Sequence, residues 1–263
     1  MLRGRQKTYL GNRRCCGILS SGLAHCFCFY SILAIPRLNS PVQNIHSITH
    51  RQPIYEHARM LEATDLECQR GERCLFTGVG FRLREGELLY VQGENGSGKT
   101  SLLRMLCGLS PPMAGEIRWR GELIGARDED YRGELCYLGH HNAIKEELTP
   151  LENLLASASL ADEALDEGAA LEALEQVGLA GREDLACRYL SQGQKRRVAL
   201  ARLVNERRAL WILDEPYVGL DAAAITLVAG LIGAHLQRGG LAVLTTHQAV
   251  DVAAVAIREV QLD

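Results

Sequence analysis

Residues 60–263 contain no pair of cysteines at CxxC spacing; Cys68, Cys74, Cys107, Cys136 and Cys187 are scattered. That excludes a disulfide framework and a zinc site, and leaves reduced, mostly buried thiols as the expectation. The same stretch has no internal repeat, no low-complexity linker, no heptad run and no apolar run long enough to span a bilayer. Nor is there a basic excess. It holds 21 Lys or Arg against 31 Asp or Glu, which excludes a nucleic-acid footprint. Acidic residues, in turn, are missing from the start of the chain: residues 1–59 carry eight Lys or Arg and a single acid, Glu56.

That upstream stretch is read apart from the rest. Arg3, Arg5, Lys7, Arg13 and Arg14 precede an apolar run from Gly17 to Ile35, the order of a signal or anchor segment. An Arg-rich, acid-poor composition also suits an organellar transit peptide. The third reading is an extension outside the natural protein, because "MLEATDLECQ" from Met60 begins like a domain. The expected organisation is an upstream tail over 1–59 and a single domain over 60–263, with a helical insert at about 142–190.

Beyond Met60 the hydrophobic pattern alternates between strand and helix periods. "LEATDLEC" and "CLFTGVGFRL" alternate as antiparallel strands, and "GELLYVQG" is a short apolar strand running into a glycine-rich loop. "EIRWRGELI" predicts a strand with a hairpin through Gly121. Leu151, Leu154, Leu155, Ala164, Leu165, Leu171, Leu174 and Val177 fall at helical spacing, ending at Gly178. "RALWILDEP" and "GLAVLTTHQ" are continuous apolar strands of the kind a parallel sheet buries on both faces, and "AIREVQLD" closes the chain with alternation. The expected fold class is therefore α/β: a core with a mixed or parallel sheet that carries the glycine-rich loop, an antiparallel β subdomain at its N-terminal side and a helical insert.

The chemistry begins at "GENGSGKT", Gly93, Glu94, Asn95, Gly96, Ser97, Gly98, Lys99 and Thr100. It fits G-x-x-x-x-G-K-[ST], after a strand and before the helix "SLLRMLCGL". Glycines let successive N–H groups curl around phosphates, and the helix start adds positive charge there. Lys99 is placed for the terminal phosphates and Thr100 for Mg²⁺. In "LWILDEP" a buried strand delivers Asp214 and Glu215 at its carboxyl end, where α/β sheets hold ligands. Adjacent side chains point to opposite faces, so Asp214 is expected to orient Mg²⁺ and Glu215 to polarise the attacking water. His247, at the end of "GLAVLTTHQ", is by itself a structural histidine; beside the other motifs it becomes a γ-phosphate sensor.

These motifs, with "LSQGQ" at 190–194 and "GLD" at 219–221, occur in the order found in the ATP-binding subunit of an ABC transporter, which the chain resembles from about residue 61 to its end. The resemblance implies a homodimer in which Ser191, Gly193 and Gln194 of one copy cap the γ-phosphate on the phosphate loop of the other. It also implies that Glu215 is the general base and that Asp221 lies in a loop crossing the dimer interface. The start of a helix at Gly193 is a physically sound anion site. Three positions depart from the pattern. Gln192 replaces glycine, Arg70 stands where an aromatic residue stacks on adenine, and His140, followed by His141, replaces the glutamine that meets Mg²⁺ and water. An Arg plane can stack on a purine, and a neutral imidazole can hold metal or water; His140 and His141 equally suit loop residues near the membrane partner.

"LSQGQKRRVALARL", Trp211, the glycine-histidine pair at 139–140 and the short C-terminus resemble more narrowly the ATP-binding subunit of the cytochrome c maturation haem exporter. That family implies ATP and Mg²⁺ as cofactors, a pair of integral-membrane subunits, haem-handling maturation proteins as partners, and a place on the cytoplasmic face of a bacterial inner membrane. Its work is haem export or ATP-driven release of a haem-loaded chaperone. An unrelated ABC importer or exporter, and a soluble ABC ATPase, are the alternatives. A docking surface for the membrane subunit is expected in the insert, including "ELTPLENLLASASL", although the Leu151, Leu154 and Leu155 face equally suits packed core.

Overall fold

The computed structural model describes residues 59–125, 128–247, 250–254 and 256–262; the tail read above lies outside them apart from Arg59. Strands β1 (Met60–Arg70) and β2 (Arg73–Arg84) pair antiparallel through a turn at Gly71, where φ is 62°. Leu61, Ala63, Leu66 and Cys68 of β1 all face the core, although strict alternation is broken between Ala63 and Leu66. A bulge at Asp65 resets the phase, with φ 49°. Gly115 makes room for it, since a Cβ there would lie 2.4 Å from the Asp65 carbonyl oxygen.

Next come β3 (Glu87–Gly93), α1 (Lys99–Leu106), β4 (Ala114–Trp119) and β5 (Glu122–Leu123). β4 and β5 form the expected hairpin through Arg120 and Gly121, both at positive φ, the geometry that matches strand twist in a two-residue turn. These strands complete a four-stranded antiparallel sheet in the order β2-β1-β4-β5.

The remaining elements are α2 (Glu129–Gly133), β6 (Leu135–Leu138), α3 (Pro150–Leu160), α4 (Glu167–Gln176), α5 (Gln192–Ala201), β7 (Leu210–Asp214), α6 (Ala222–Gln237), β8 (Leu241–Thr245) and β9 (Ala256–Leu262). β6-β7-β8-β3-β9 make a five-stranded sheet with every pairing parallel. Both of its faces are covered, which is why β7 and β8 read as unbroken apolar runs. Leu210, Ile212, Leu241 and Val243 join α1 and the antiparallel sheet in one core, while Trp211, Leu213, Ala242 and Leu244 join α5 and α6 in another. In the second core the His235 ring stacks on Trp211 at 4.0 Å between centroids. Its Nε2 lies 3.1 Å from the Leu241 carbonyl oxygen, and burial pushes its pKa down to about 4.

The helical spacing over 151–178 resolves into two helices rather than one. Thr149 and Glu152 form a capping box that starts α3, with Pro150 in its first turn. Asp162 then turns the chain at φ 54°, and the Asp166 carboxylate caps α4 by accepting from the Ala169 N–H. Leu154 is buried, with Leu151 and Leu155 half-buried beside it, in a third core with Leu174, Leu179 and Leu190. That leucine face is core, as the default reading has it. Among the described residues no helix is long and apolar enough to cross a membrane.

Candidate functional site

The carboxyl ends of β3, β6, β7 and β8 lie side by side, so the segments that leave them meet at one edge of the parallel sheet. β3 delivers the phosphate loop. Gly93 sits at φ 147°, and a Cβ on it would lie 2.5 Å from both Ser97 Oγ and the Leu262 carbonyl oxygen. Gly98 caps α1 at φ 105°, with Phe76 and Leu75 of β2 packed against it. Lys99 is buried and its Nζ donates to the carbonyls of Gly93 (2.7 Å) and Glu94 (3.0 Å). Ser97 Oγ is buried with no hydrogen-bond partner among the described residues. Such an orphan at a helix start awaits an acceptor, and a phosphate oxygen satisfies it.

β7 and β8 bring the acids and the second hydroxyl. Thr100 Oγ1 donates to Asp214 Oδ2 at 2.9 Å, and Thr245 Oγ1 donates to Asp214 Oδ1 at 2.6 Å. Thr245 in turn accepts from the Glu215 N–H at 2.8 Å. Thr100 and Asp214 thus present two hard oxygens beside the phosphate loop, a donor set that fits Mg²⁺. Glu215 adopts φ 50°, uncommon for a residue with a Cβ, and is held there by Thr245 on its N–H and by Arg196 on its carbonyl. Its carboxylate lies between two imidazoles: Oε1 is 3.4 Å from His247 Nε2, and Oε2 is 3.7 Å from His140 Nδ1. His140 therefore joins the site from the segment after β6, with the His141 ring edge-on to it at 5.6 Å.

The signature stands apart from this cluster. Ser191 caps α5, its hydroxyl accepting from the Gln194 N–H (3.2 Å) while Gln194 Oε1 accepts from the Ser191 N–H (2.9 Å). Ser191 and Gln192 are exposed. The other first-turn N–H groups have no partner inside the helix. Gly193 lies against the loop before α6, where an added Cβ would be 3.2 Å from the Gly219 carbonyl oxygen. Asp221 caps α6 through the Ala224 N–H (2.9 Å) and pairs with Arg197. The hydrogen bonds of Ser191, Gln194 and Asp221 stay within α5 and α6 and do not reach the phosphate loop of the same chain. Arg70, at the end of β1, is exposed.

Two residues of the site escaped the sequence reading. Thr245 binds both acids, and its signal was its place as the last residue of a buried apolar strand, at the carboxyl end where α/β sheets hold ligands. Arg196, 5% exposed, donates to the Glu215 carbonyl (2.8 Å), the Asp214 carbonyl (3.2 Å), Asn142 Oδ1 (3.1 Å) and the Gly139 carbonyl (3.4 Å). It ties the segment carrying His140 to the main chain of the two acids. Burial pulls its pKa below the usual guanidinium value. An arginine three residues before Ala199 and four before Leu200 lies on the buried face of its helix, which was the readable clue.

Comparison with known proteins identifies the family. The family model for ABC transporters matches residues 76–218. A curated relative from Dechloromonas aromatica, "Cytochrome c biogenesis ATP-binding export protein CcmA", is 70% identical over 203 residues, covering 77% of this chain and 100% of the relative. A protein of the same name from Nitrosospira multiformis is 54% identical, covering 77% of this chain and 98% of its own. A dimeric ATP-binding cassette solved in a post-hydrolysis state bound to ADP and Pi shares the fold, with TM-score 0.61, 23% identity and coverage of 72% of this chain and 88% of that one. The chain belongs to the ABC transporter ATPases, as an ATP-hydrolysing subunit in the family of cytochrome c biogenesis ATP-binding export proteins.

Proposed function

We propose that this subunit binds Mg²⁺-ATP on the loop Gly93–Thr100, hydrolyses it with Glu215, and completes each site with the signature of a second copy. The observation that carries the proposal is the Glu215 carboxylate held at positive φ between His140 and His247, beside the Asp214–Thr100 pair. The main-chain N–H groups of Gly93, Glu94, Asn95, Gly96, Ser97 and Gly98 line the phosphate path, and Lys99 neutralises the terminal phosphates. Thr100 and Asp214 would hold Mg²⁺, which when bound screens the phosphate charge. Glu215 orients the attacking water and accepts its proton. His247 donates to the γ-phosphate, and His140 takes the glutamine's place beside the metal and the water.

Ser191 and Gln194 make no hydrogen bond to their own phosphate loop among the described residues; with Gly193 they serve the partner's in a head-to-tail homodimer, with Asp221 in the loop between the two sites. Hydrolysis drives a pair of integral-membrane subunits at the cytoplasmic face of a bacterial inner membrane. Those subunits act with the haem-handling proteins of cytochrome c maturation, in haem export or release of the haem-loaded chaperone. Residues 60–263 make up the ATPase.

ATPase assays of Lys99→Ala and Glu215→Gln test the chemistry: loss of turnover in both is expected, and unchanged turnover in either refutes the assignment. Deleting the gene tests the biological role. Holo-cytochrome c formation should stop while other haem proteins remain, and normal holo-cytochrome c would refute it.

A further inference from the structure

An aromatic ring stands exposed next to the signature. Tyr189 ends the 3₁₀ turn Cys187–Tyr189, two residues ahead of the Ser191 cap, and is 66% exposed. The backbone beneath it is pinned. Cys187 N–H donates to the Leu148 carbonyl (2.9 Å), Arg188 N–H to Glu146 (2.8 Å), Tyr189 N–H to Ala186 (3.0 Å) and Leu190 N–H to Cys187 (3.0 Å). Cys187 and Leu190 are buried anchors on either side. The Arg188 guanidinium lies over the ring, 4.8 Å from its centroid. An exposed ring on a pinned backbone offers a stacking platform for a nucleobase.

The turn where the family resemblance expects an adenine-stacking ring carries none. The β1–β2 turn next to Gly98 carries Gln69, Arg70, Gly71, Glu72, Arg73 and Cys74, all exposed and none aromatic, and Phe76 is buried against the loop. That turn offers guanidinium planes, not rings.

We infer that Tyr189 stacks on the base of the nucleotide held by the other copy's phosphate loop, while Arg70 of that other copy lies against the opposite face. This rests on the head-to-tail pairing proposed above. The reach is short: two residues separate the ring from the hydroxyl that caps the γ-phosphate, at most about 7 Å of chain, to which the tyrosine adds its own length. A site built from stacking alone reads the size of the π-face rather than the base's hydrogen-bonding edge. The ligand class is therefore purine nucleoside triphosphates, with little distinction between ATP and GTP and weaker binding of CTP.

The test is equilibrium binding of ATP, GTP, CTP and inorganic tripolyphosphate to the full chain carrying Glu215→Gln. Tyr189→Ala should weaken ATP and GTP by about five-fold or more and leave tripolyphosphate unchanged, with Tyr189→Phe close to the parent. Equal weakening of tripolyphosphate, or unchanged ATP affinity, overturns the base contact. A dimer pairing one Tyr189→Ala copy with one Lys99→Ala copy should keep one site of parental ATP affinity, since that site takes its tyrosine from the Lys99→Ala copy. A weakened site there places Tyr189 in its own chain's site and overturns the inference. Ser191→Arg reports on the pairing itself. If it leaves nucleotide occlusion intact, the pairing fails and the Tyr189 inference with it. Lost occlusion beside unchanged Tyr189→Ala affinities overturns the base contact alone.

Discussion

Replacing Arg196 with lysine should separate the fold from the chemistry. The guanidinium sits 5% exposed and donates four hydrogen bonds, two of them to the carbonyls of Asp214 and Glu215 and two to the segment at Gly139 and Asn142. A lysine ammonium is a point donor without the planar fork, and it cannot serve both segments at once. Charge-assisted bonds contribute roughly 1.5–3 kcal/mol each in place, and the lysine ammonium is itself a buried and more strongly hydrated cation, so losing two of them should cost about 3 kcal/mol or more of stability. The catalytic effect falls separately, on the barrier to hydrolysis. The Glu215 peptide is fixed at φ 50° by Thr245 on its N–H and Arg196 on its carbonyl. Freeing one end allows the carboxylate to drift, and a displacement of about 1 Å costs about 100-fold in rate. Urea unfolding and steady-state ATPase kinetics on the same preparation provide the assay: kcat should fall about 100-fold with KM for ATP little changed. Arg196→Lys with the parental kcat would refute a positioning role for this residue.

Three further outcomes follow from the same geometry. Burial holds His235 near pKa 4 against an ordinary 6.5, so the native state excludes a proton that the unfolded chain takes up. Its contribution is intact above pH 6.5 and lost as pH falls toward 4, by about 3 kcal/mol; urea titrations at stepped pH should show that loss in the parent and not in His235→Phe. Thr245→Val leaves the Glu215 N–H without its acceptor and removes a donor from Asp214, and should cost about 1–3 kcal/mol in thermal unfolding along with a clear drop in kcat. Gly93→Ala places a Cβ 2.5 Å from the Leu262 backbone oxygen, which cannot move aside, so ATP affinity measured calorimetrically should fall at least about ten-fold.

The phosphate loop, the Asp214–Glu215 strand end and the capped start of α5 were legible because each is a short contiguous motif whose residues act where they stand. The antiparallel hairpins were legible from turn glycines and alternation. β6 was not, because four residues, Leu135–Leu138, carry too little period to be read. α6 was not, because its sequence AAAITLVAGLIGAHLQ is apolar on nearly every side and lacks a polar stripe. Arg196 was missed for a different reason. Its partners lie at 139, 142, 214 and 215, and only the parallel sheet, which puts the ends of β6 and β7 side by side, brings them to one guanidinium.

The central claim is that each ATP site is built from two copies of the chain. It is tested most directly by counting nucleotides occluded per dimer, in a Glu215→Gln background, when Ser191→Arg and Lys99→Ala copies are mixed. Each mixed dimer has one site with an intact phosphate loop facing an intact signature, so one nucleotide per mixed dimer is predicted. Two, or none, would contradict the account.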